Sequence, residues 1–152
     1  MFLFATTHFA YQKSAAARKH RSTAARQLVA AIDRANPDGL PVIIGGDFNS
    51  GAHRNSGNGV YRALLAAGYI DPLVKSKKLG AAEKRINANL KTVHKMTRRA
   101  PRDSWAPMID HVFVSKMRVA EWETVARLDN AGRFVGTIPS DHNLVRVTVY
   151  LP

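Results

Sequence analysis

Residues 42–50 read VIIGGDFNS, so an acid, Asp47, and an amide, Asn49, stand two positions apart at the end of a wholly apolar run. A carboxylate accepts protons and an amide both donates and accepts, a combination that can orient a water molecule and hold an oxygen-rich ligand. Gly45 and Gly46 let the backbone leave a strand with unusual dihedrals and allow a close approach. If the chain is still extended there, Asp47 and Asn49 point the same way. On this stretch alone, an Asx-type turn after a strand is the better account of the pair.

Two further segments share that character. Asp110-His111 opens the apolar run IDHVFV, and Asp141-His142 precedes LVRVTVY. An Asp beside an imidazole fixes its tautomer and stabilises the protonated ring, while carboxylates also bind hard cations such as Mg2+ or Mn2+. Singly, each dipeptide reads as a strand cap or a surface hydrogen bond. Three such segments, each at the edge of an apolar strand, point to one site.

The elements that must position them follow from periodicity. Phe2–Phe9 is aromatic and β-branched and predicts a strand ending near Thr7-His8. From Ser14 to about Ala35, Ala17, Ala25, Leu28, Val29 and Ile32 recur at helical spacing, stopped by Asn36-Pro37-Asp38-Gly39. Arg18, Lys19, Arg21 and Arg26 are then expected on the solvent side of that helix. Pro41–Gly46 is a short apolar strand, as for one buried on both faces. Val60–Ala67 predicts a second helix, closed by Gly68. Residues 75–104 read as a long loop containing a short helix around Ala82–Leu90. Strands are expected over Ile109–Val114, Arg118–Leu128 and Leu144–Tyr150, with DNAGRF as a turn between the last two. The fold class is α/β (α+β), a mixed β-sheet with flanking helices.

The chain has 152 residues, 45% apolar and 22% charged, which suits one folded domain over residues 1–152. Lys plus Arg number 23 against 11 Asp plus Glu, a net charge of +12. Such an excess points to a polyanionic partner. Residues 75–102 concentrate it, with ten basic side chains against Glu83 alone, and Lys95, Arg98 and Arg99 are the candidates for substrate contact. His94, Met96 and Trp105 are the only neighbours able to stack on a base. There is no cysteine, which excludes disulfides, thiolate metal sites and a cysteine nucleophile. No run approaches the roughly 20 apolar residues of a membrane span, and MFLFATTHF lacks a signal-peptide pattern. The sequence therefore leaves localisation, cytoplasmic or secreted, open. Trp105, Trp122, Tyr61 and Phe113 read as packing residues, and His20, His53 and His111 have no nameable partner.

ATTHF, GGDFNS, IDHVFVS and SDHNLVRV together resemble four motifs of the endonuclease/exonuclease/phosphatase superfamily, the deoxyribonuclease I-like group. The resemblance runs from His8 to the last strand, and GDFN followed by SDH about 90 residues on is its most specific part. It implies a metal-dependent phosphodiester hydrolase, using Mg2+ or Mn2+ and in-line attack by an activated water, with nucleic acid as the expected substrate. It implies that His8 contacts the scissile phosphate, with Thr6 where the family carries Asn. Asp47 would orient or deprotonate the water, and Asn49 would hold that water or a nonbridging oxygen. His142 would stabilise charge on the phosphate, with Asp110 orienting its ring. Asp141 would be a metal-site carboxylate, with Asp47 and Asn49 beside it.

The resemblance also implies a four-layer α/β/β/α sandwich built from two similar halves. The N-terminal half, bearing the Glu that is the family's main metal ligand, is not matched. Glu83, Glu121 and Glu123 lie in the basic segment or in a strand, where solvated ion pairs are the expected role. This chain is therefore expected to be incomplete at its N-terminus, to assemble with a partner chain or to be a natural reduced form, supplying one full sheet whose apolar face lacks its counterpart. A lipid or inositol-phosphate phosphodiesterase or phosphatase is the first competing reading. A truncated polyanion-binding domain without turnover is the second.

Overall fold

A computed structural model describes residues 1–51, 58–74, 79–100 and 108–151. Its elements run β1 (Leu3–His8), α1 (Ala15–Ala35), β2 (Val42–Asp47), α2 (Gly59–Ala66), β3 (Ala82–Ile86), β4 (Asp110–Ser115), β5 (Arg118–Val125) and β6 (Leu144–Tyr150). The strands form two three-stranded sheets, ordered β1-β2-β4 and β3-β5-β6. β1 runs parallel to β2 and β4 antiparallel to it, while β5 is parallel to β3 and antiparallel to β6.

β2 shows why so apolar a strand was needed. Val42 and Ile44 face a core shared with Ala25 and Ile32 of α1, Val60 and Leu64 of α2, and Phe113 of β4. Ile43 faces the other way, into a core with Val112 and Val114 of β4, Trp122 of β5 and Val145, Val147 and Val149 of β6. The first sheet is thus a middle layer, with helices on one face and the second sheet on the other. The second sheet covers the apolar face of the first on its β4 side. Toward the β1 and β6 edges a groove of about 620 Å³ remains between the sheets. Phe4 and Leu144 on its walls are 63% and 67% exposed.

α1 starts where the sequence indicates, with the Ser14 hydroxyl accepting a hydrogen bond from Ala17 N. Its buried stripe is Ala17, Arg21, Ala25 and Ile32. Arg21 was expected in solvent and is instead inside, its Nη1 donating to Ala10 O and Gln12 O and so tying down the loop that follows β1.

The short helix expected around Ala82–Leu90 is strand β3. Its helical composition yields to pairing with β5, in register from Ala82 opposite Val119 to Ile86 opposite Glu123. The basic segment is accordingly not one loop. Lys84 pairs with Glu121, and Arg85 donates to Leu73 O and Val74 O. Lys75, Lys77, Lys78, Arg102, Trp105 and His53 lie outside the described residues. The three glutamates sit in ion pairs on the second sheet: Glu83 with Arg118, Glu121 and Glu123 with Arg146.

Candidate active site

Register across the first sheet sets the site. His8 lies opposite Asp47, and Asp47 opposite Asp110, so the last residues of β1 and β2 and the first of β4 form one row. Gly46 permits that row. It has φ 148°, and a Cβ there would stand 1.9 Å from Thr7 O. Within the row, His8 Nε2 is 3.5 Å from Asp47 Oδ2, and His8 itself is largely exposed.

Asn49 reaches the row differently from the sequence expectation. The strand ends at Asp47, and Asn49 has φ 47°, a left-handed turn rather than extended chain. The turn nevertheless folds Asn49 back on Asp47, its N–H donating to Asp47 Oδ1 at 2.7 Å. Both amide hydrogens of the side chain are committed, to Phe9 O at 2.9 Å and Asp47 Oδ2 at 3.2 Å. Asn49 therefore has its amide oxygen, an acceptor, to offer a ligand. The Asx turn is thus present, and it is what sets Asn49 beside Asp47.

His142 arrives from the second sheet. Its Nδ1 lies 2.9 Å from Asp110 Oδ2, and its N–H donates to Ser140 Oγ. The segment 91–94 splints the two sheets together at this point. Thr92, fully buried, accepts Ile109 N and Asp110 N through its hydroxyl and Asn143 N through its carbonyl. Asn143 Nδ2 donates to Lys91 O, and His94 N to Asp141 O. Thr92 and Asn143 carry no signal in the sequence, because their partners lie far along the chain.

Asp47, Asp110 and His142 each present a ligand atom, and these atoms lie within 4.8 Å of one another. The two carboxylates suit a hard divalent cation, while the imidazole is already paired with Asp110. Asp141 stands exposed beside His142 and outside that group of three. Burial holds Asp47 above the ordinary carboxylate range, and the neighbouring Asp110 charge adds to it. The Asn49 N–H, His142 and His8 pull the other way. A carboxylate held basic in this manner is better suited to take a proton from water.

Lys95, Arg98 and Arg99 are exposed on the loop that leaves this splint. The loop is pinned to residues 132–134 by Phe134 N to Arg98 O and Ala100 N to Gly132 O, over a small core of Leu90, Ala100 and Phe134. Arg133 joins the same surface and is paired with Asp129.

The molecule is a two-sheet α/β sandwich with an acid–acid–imidazole cluster at its strand ends. The chain belongs to the endonuclease/exonuclease/phosphatase family, whose sequence profile matches residues 6–142. Members of that family are phosphate ester hydrolases that generally use divalent metals. No curated protein sequence matches the chain significantly. Among solved structures, a family protein from Bacteroides thetaiotaomicron superposes with TM-score 0.66 at 20% identity, covering 95% of this chain and 48% of its own. A mannosyl-6-phosphatase from the same species gives 0.63 at 21% identity, covering 96% and 50%. A humanized D. rerio TDP2 gives 0.55 at 18% identity, covering 97% and 55%. The chain thus spans about half the length of these structures.

Proposed function

We propose that this chain carries the reacting groups of a divalent-metal-dependent phosphodiesterase acting on nucleic acid. The observation that carries the reading is the row His8–Asp47–Asp110, closed by His142 from the opposite sheet. In this reading Asp47 takes a proton from a water that Asn49 Oδ1 helps to orient. The water attacks phosphorus in line, one P–O bond forms as the opposite one breaks, and the departing oxygen is finally protonated. With Nδ1 held by Asp110, His142 presents Nε2 to the phosphate and stabilises its developing charge, while the exposed His8 contacts a second oxygen.

Asp47 and Asp110 would hold a magnesium or manganese ion through carboxylate oxygens, with Asn49 Oδ1 and Asp141 as further oxygen donors, which leaves His142 Nε2 to the phosphate. When bound, the ion supplies positive charge against the phosphate oxygens. Nucleic acid is favoured over a small phosphate ester by the net charge of +12 and by the exposed Lys95, Arg98 and Arg99 on the loop that follows the 91–94 segment.

Supercoiled plasmid incubated with the protein and Mg2+, with and without EDTA, tests the reading. Chelator-sensitive nicking is expected. Hydrolysis of a sugar or inositol phosphate with the plasmid intact would overturn the substrate assignment, and salt-dependent DNA binding without turnover would overturn the activity.

A further inference from the structure

His111 follows Asp110 on β4 and faces the opposite way, into the helix-side core, where it is 3% exposed. Its Nδ1 is 3.1 Å from Asp71 Oδ2 and its Nε2 is 3.0 Å from Ser50 O. A carbonyl oxygen only accepts, and so does a carboxylate. Nε2 therefore carries a hydrogen for the Ser50 carbonyl, and Nδ1 pairs with the Asp71 carboxyl group. Burial alone would favour the neutral ring; the bond and charge of Asp71 and the Ser50 carbonyl outweigh it and raise His111 above its usual value. The second oxygen of Asp71 accepts Leu73 N at 2.9 Å, and Phe48, Tyr61 and Phe113 surround the imidazole.

A buried ion pair is a poor device for stability alone, since apolar residues of similar volume often replace one without loss. What an apolar pair could not do here is hold Ser50 O. Ser50 ends the left-handed turn whose preceding residue, Asn49, donates to Asp47 Oδ1. β2 fixes the turn at one end; at the other, His111 holds the Ser50 carbonyl and Asn58 accepts from the Ser50 hydroxyl.

We propose that Asp71 and His111 are positioning residues that clamp the 47–50 turn, so that Asn49 and Asp47 keep the relative placement the reaction needs. The inference rests on the reading of Asp47 and Asn49 given above. On it, consecutive residues of β4 serve the two sides of one site: Asp110 orients His142 in the gap between the sheets, and His111 orients the turn from the helix side.

The test replaces the pair together, Asp71→Leu with His111→Phe, which keeps the core apolar and removes the clamp. Amide hydrogen exchange at Asn49 and Ser50 is measured alongside kcat and KM on a phosphodiester and the circular dichroism of the fold. The expected result is a folded protein with about tenfold faster exchange at Asn49, because local opening governs exchange. kcat is expected to fall about 10²-fold, the scale for a small misplacement of reacting groups, with KM within about twofold. Unchanged exchange and unchanged kcat in the folded double variant would overturn the proposal. Exchange is readable whether or not the wild-type chain turns over any substrate. An inactive wild type thus overturns the functional reading, and exchange alone then decides the clamp. Should the double variant not fold, Asp71→Asn decides. Its amide donates to Nδ1 and leaves Nε2–H for Ser50, so near-wild-type protection at Asn49 is expected, and loss of that protection in a folded chain overturns the proposal.

Discussion

Asp110 and His142, 32 positions apart in the chain, meet through both carboxylate oxygens, which lie 3.1 and 2.9 Å from the imidazole Nδ1. The contact joins the first sheet to the second and leaves Nε2 as the nitrogen that can face a substrate. Asp110→Asn keeps the shape but removes the charge and allows the amide to donate to Nδ1, which would force the wrong tautomer. A loss of about 10²–10⁴-fold in kcat, the range for a mis-set acid–base group, is expected with a smaller change in KM. Steady-state kinetics on a chromogenic phosphodiester check it, and a fall confined to KM would count against the orienting role.

Asp47 is basic at the expense of stability. Its folded pKa lies above the ordinary carboxylate value, chiefly through burial and then through Asp110. The folded state therefore binds a proton more readily than the unfolded chain, and stability falls as pH rises through that window. Above it the charged group is a net cost. Asp47→Asn removes the cost along with the proton acceptor. The expected outcome is turnover reduced about 10²–10⁴-fold, with a melting temperature at neutral pH equal to or above that of wild type. Calorimetry at pH 4 and pH 8 should show the gap between variant and wild type wider at pH 8.

Gly46 has no room for a side chain, since the clash of a Cβ at 1.9 Å would be with the backbone oxygen of Thr7 and nothing flexible can move aside. Gly46→Ala must part β1 from β2 at the row that holds His8 and Asp47. A destabilisation of at least about 3 kcal/mol is expected from the clash and the unfavourable φ together. Urea denaturation measures it; a loss below about 1 kcal/mol would mean that the strands separate there at little cost.

Much of this site was legible in the sequence because its signals are local. A strand ending in GGDFN or opening with IDH announces both an element and the residue at its tip. Those positions are the ones the sheet register brings into a row. β3 was not legible: AEKRINANL has helical composition, and only the neighbouring β5 makes it a strand. Asp71 and Thr92 were missed for a related reason. Each is defined by a partner, 40 positions away for His111 and 17 for Ile109, that no spacing rule anticipates. The Asp71-Pro72 pair carries only a turn signal. Asn49 was legible as a residue and misread as geometry, because a side chain two positions on can return to Asp47 through a turn as well as along a strand.

His94 and His111 are tuned in opposite directions. The Met96 N–H donates to His94 Nδ1 at 3.0 Å, which requires that nitrogen to be unprotonated, and the ring stacks on Phe134. Burial lowers its pKa; Asp141 opposes the shift and His142 adds to it. With the folded value depressed, this contribution to stability is complete above the unfolded value of about 6.5 and is lost as pH falls through the window beneath it. Hydrogen-exchange protection factors at Met96 and Ala100, which remove the intrinsic pH dependence of exchange, should fall below about pH 6.5 in the wild type and lose that dependence in His94→Phe. Pinned as it is to residues 132–134, the whole 95–100 loop should loosen together.

On the nucleic-acid reading, that loop also carries the charge that would distinguish a polymer substrate from a small one. Lys95, Arg98 and Arg99 are exposed, and the hydrogen bond from Arg98 Nη1 to Phe134 O is long at 3.5 Å. Side chains so lightly held are available to backbone phosphates on either side of a scissile bond, releasing the counterions condensed there. Each phosphate that is no longer neutralised should reduce the slope of log K against log salt by about 0.7–0.9. Replacing Arg98 and Arg99 together by Ala should therefore flatten the slope by about 1.4–1.8 if each holds one phosphate. Hydrolysis of a mononucleotide-sized ester, which has no flanking phosphates, should stay within about twofold of wild type, the change of a site left intact. Fluorescence anisotropy of a labelled oligonucleotide across a salt series measures the first quantity and a chromogenic ester the second. Equal losses on both substrates would show that the arginines serve the reacting phosphate and not its neighbours.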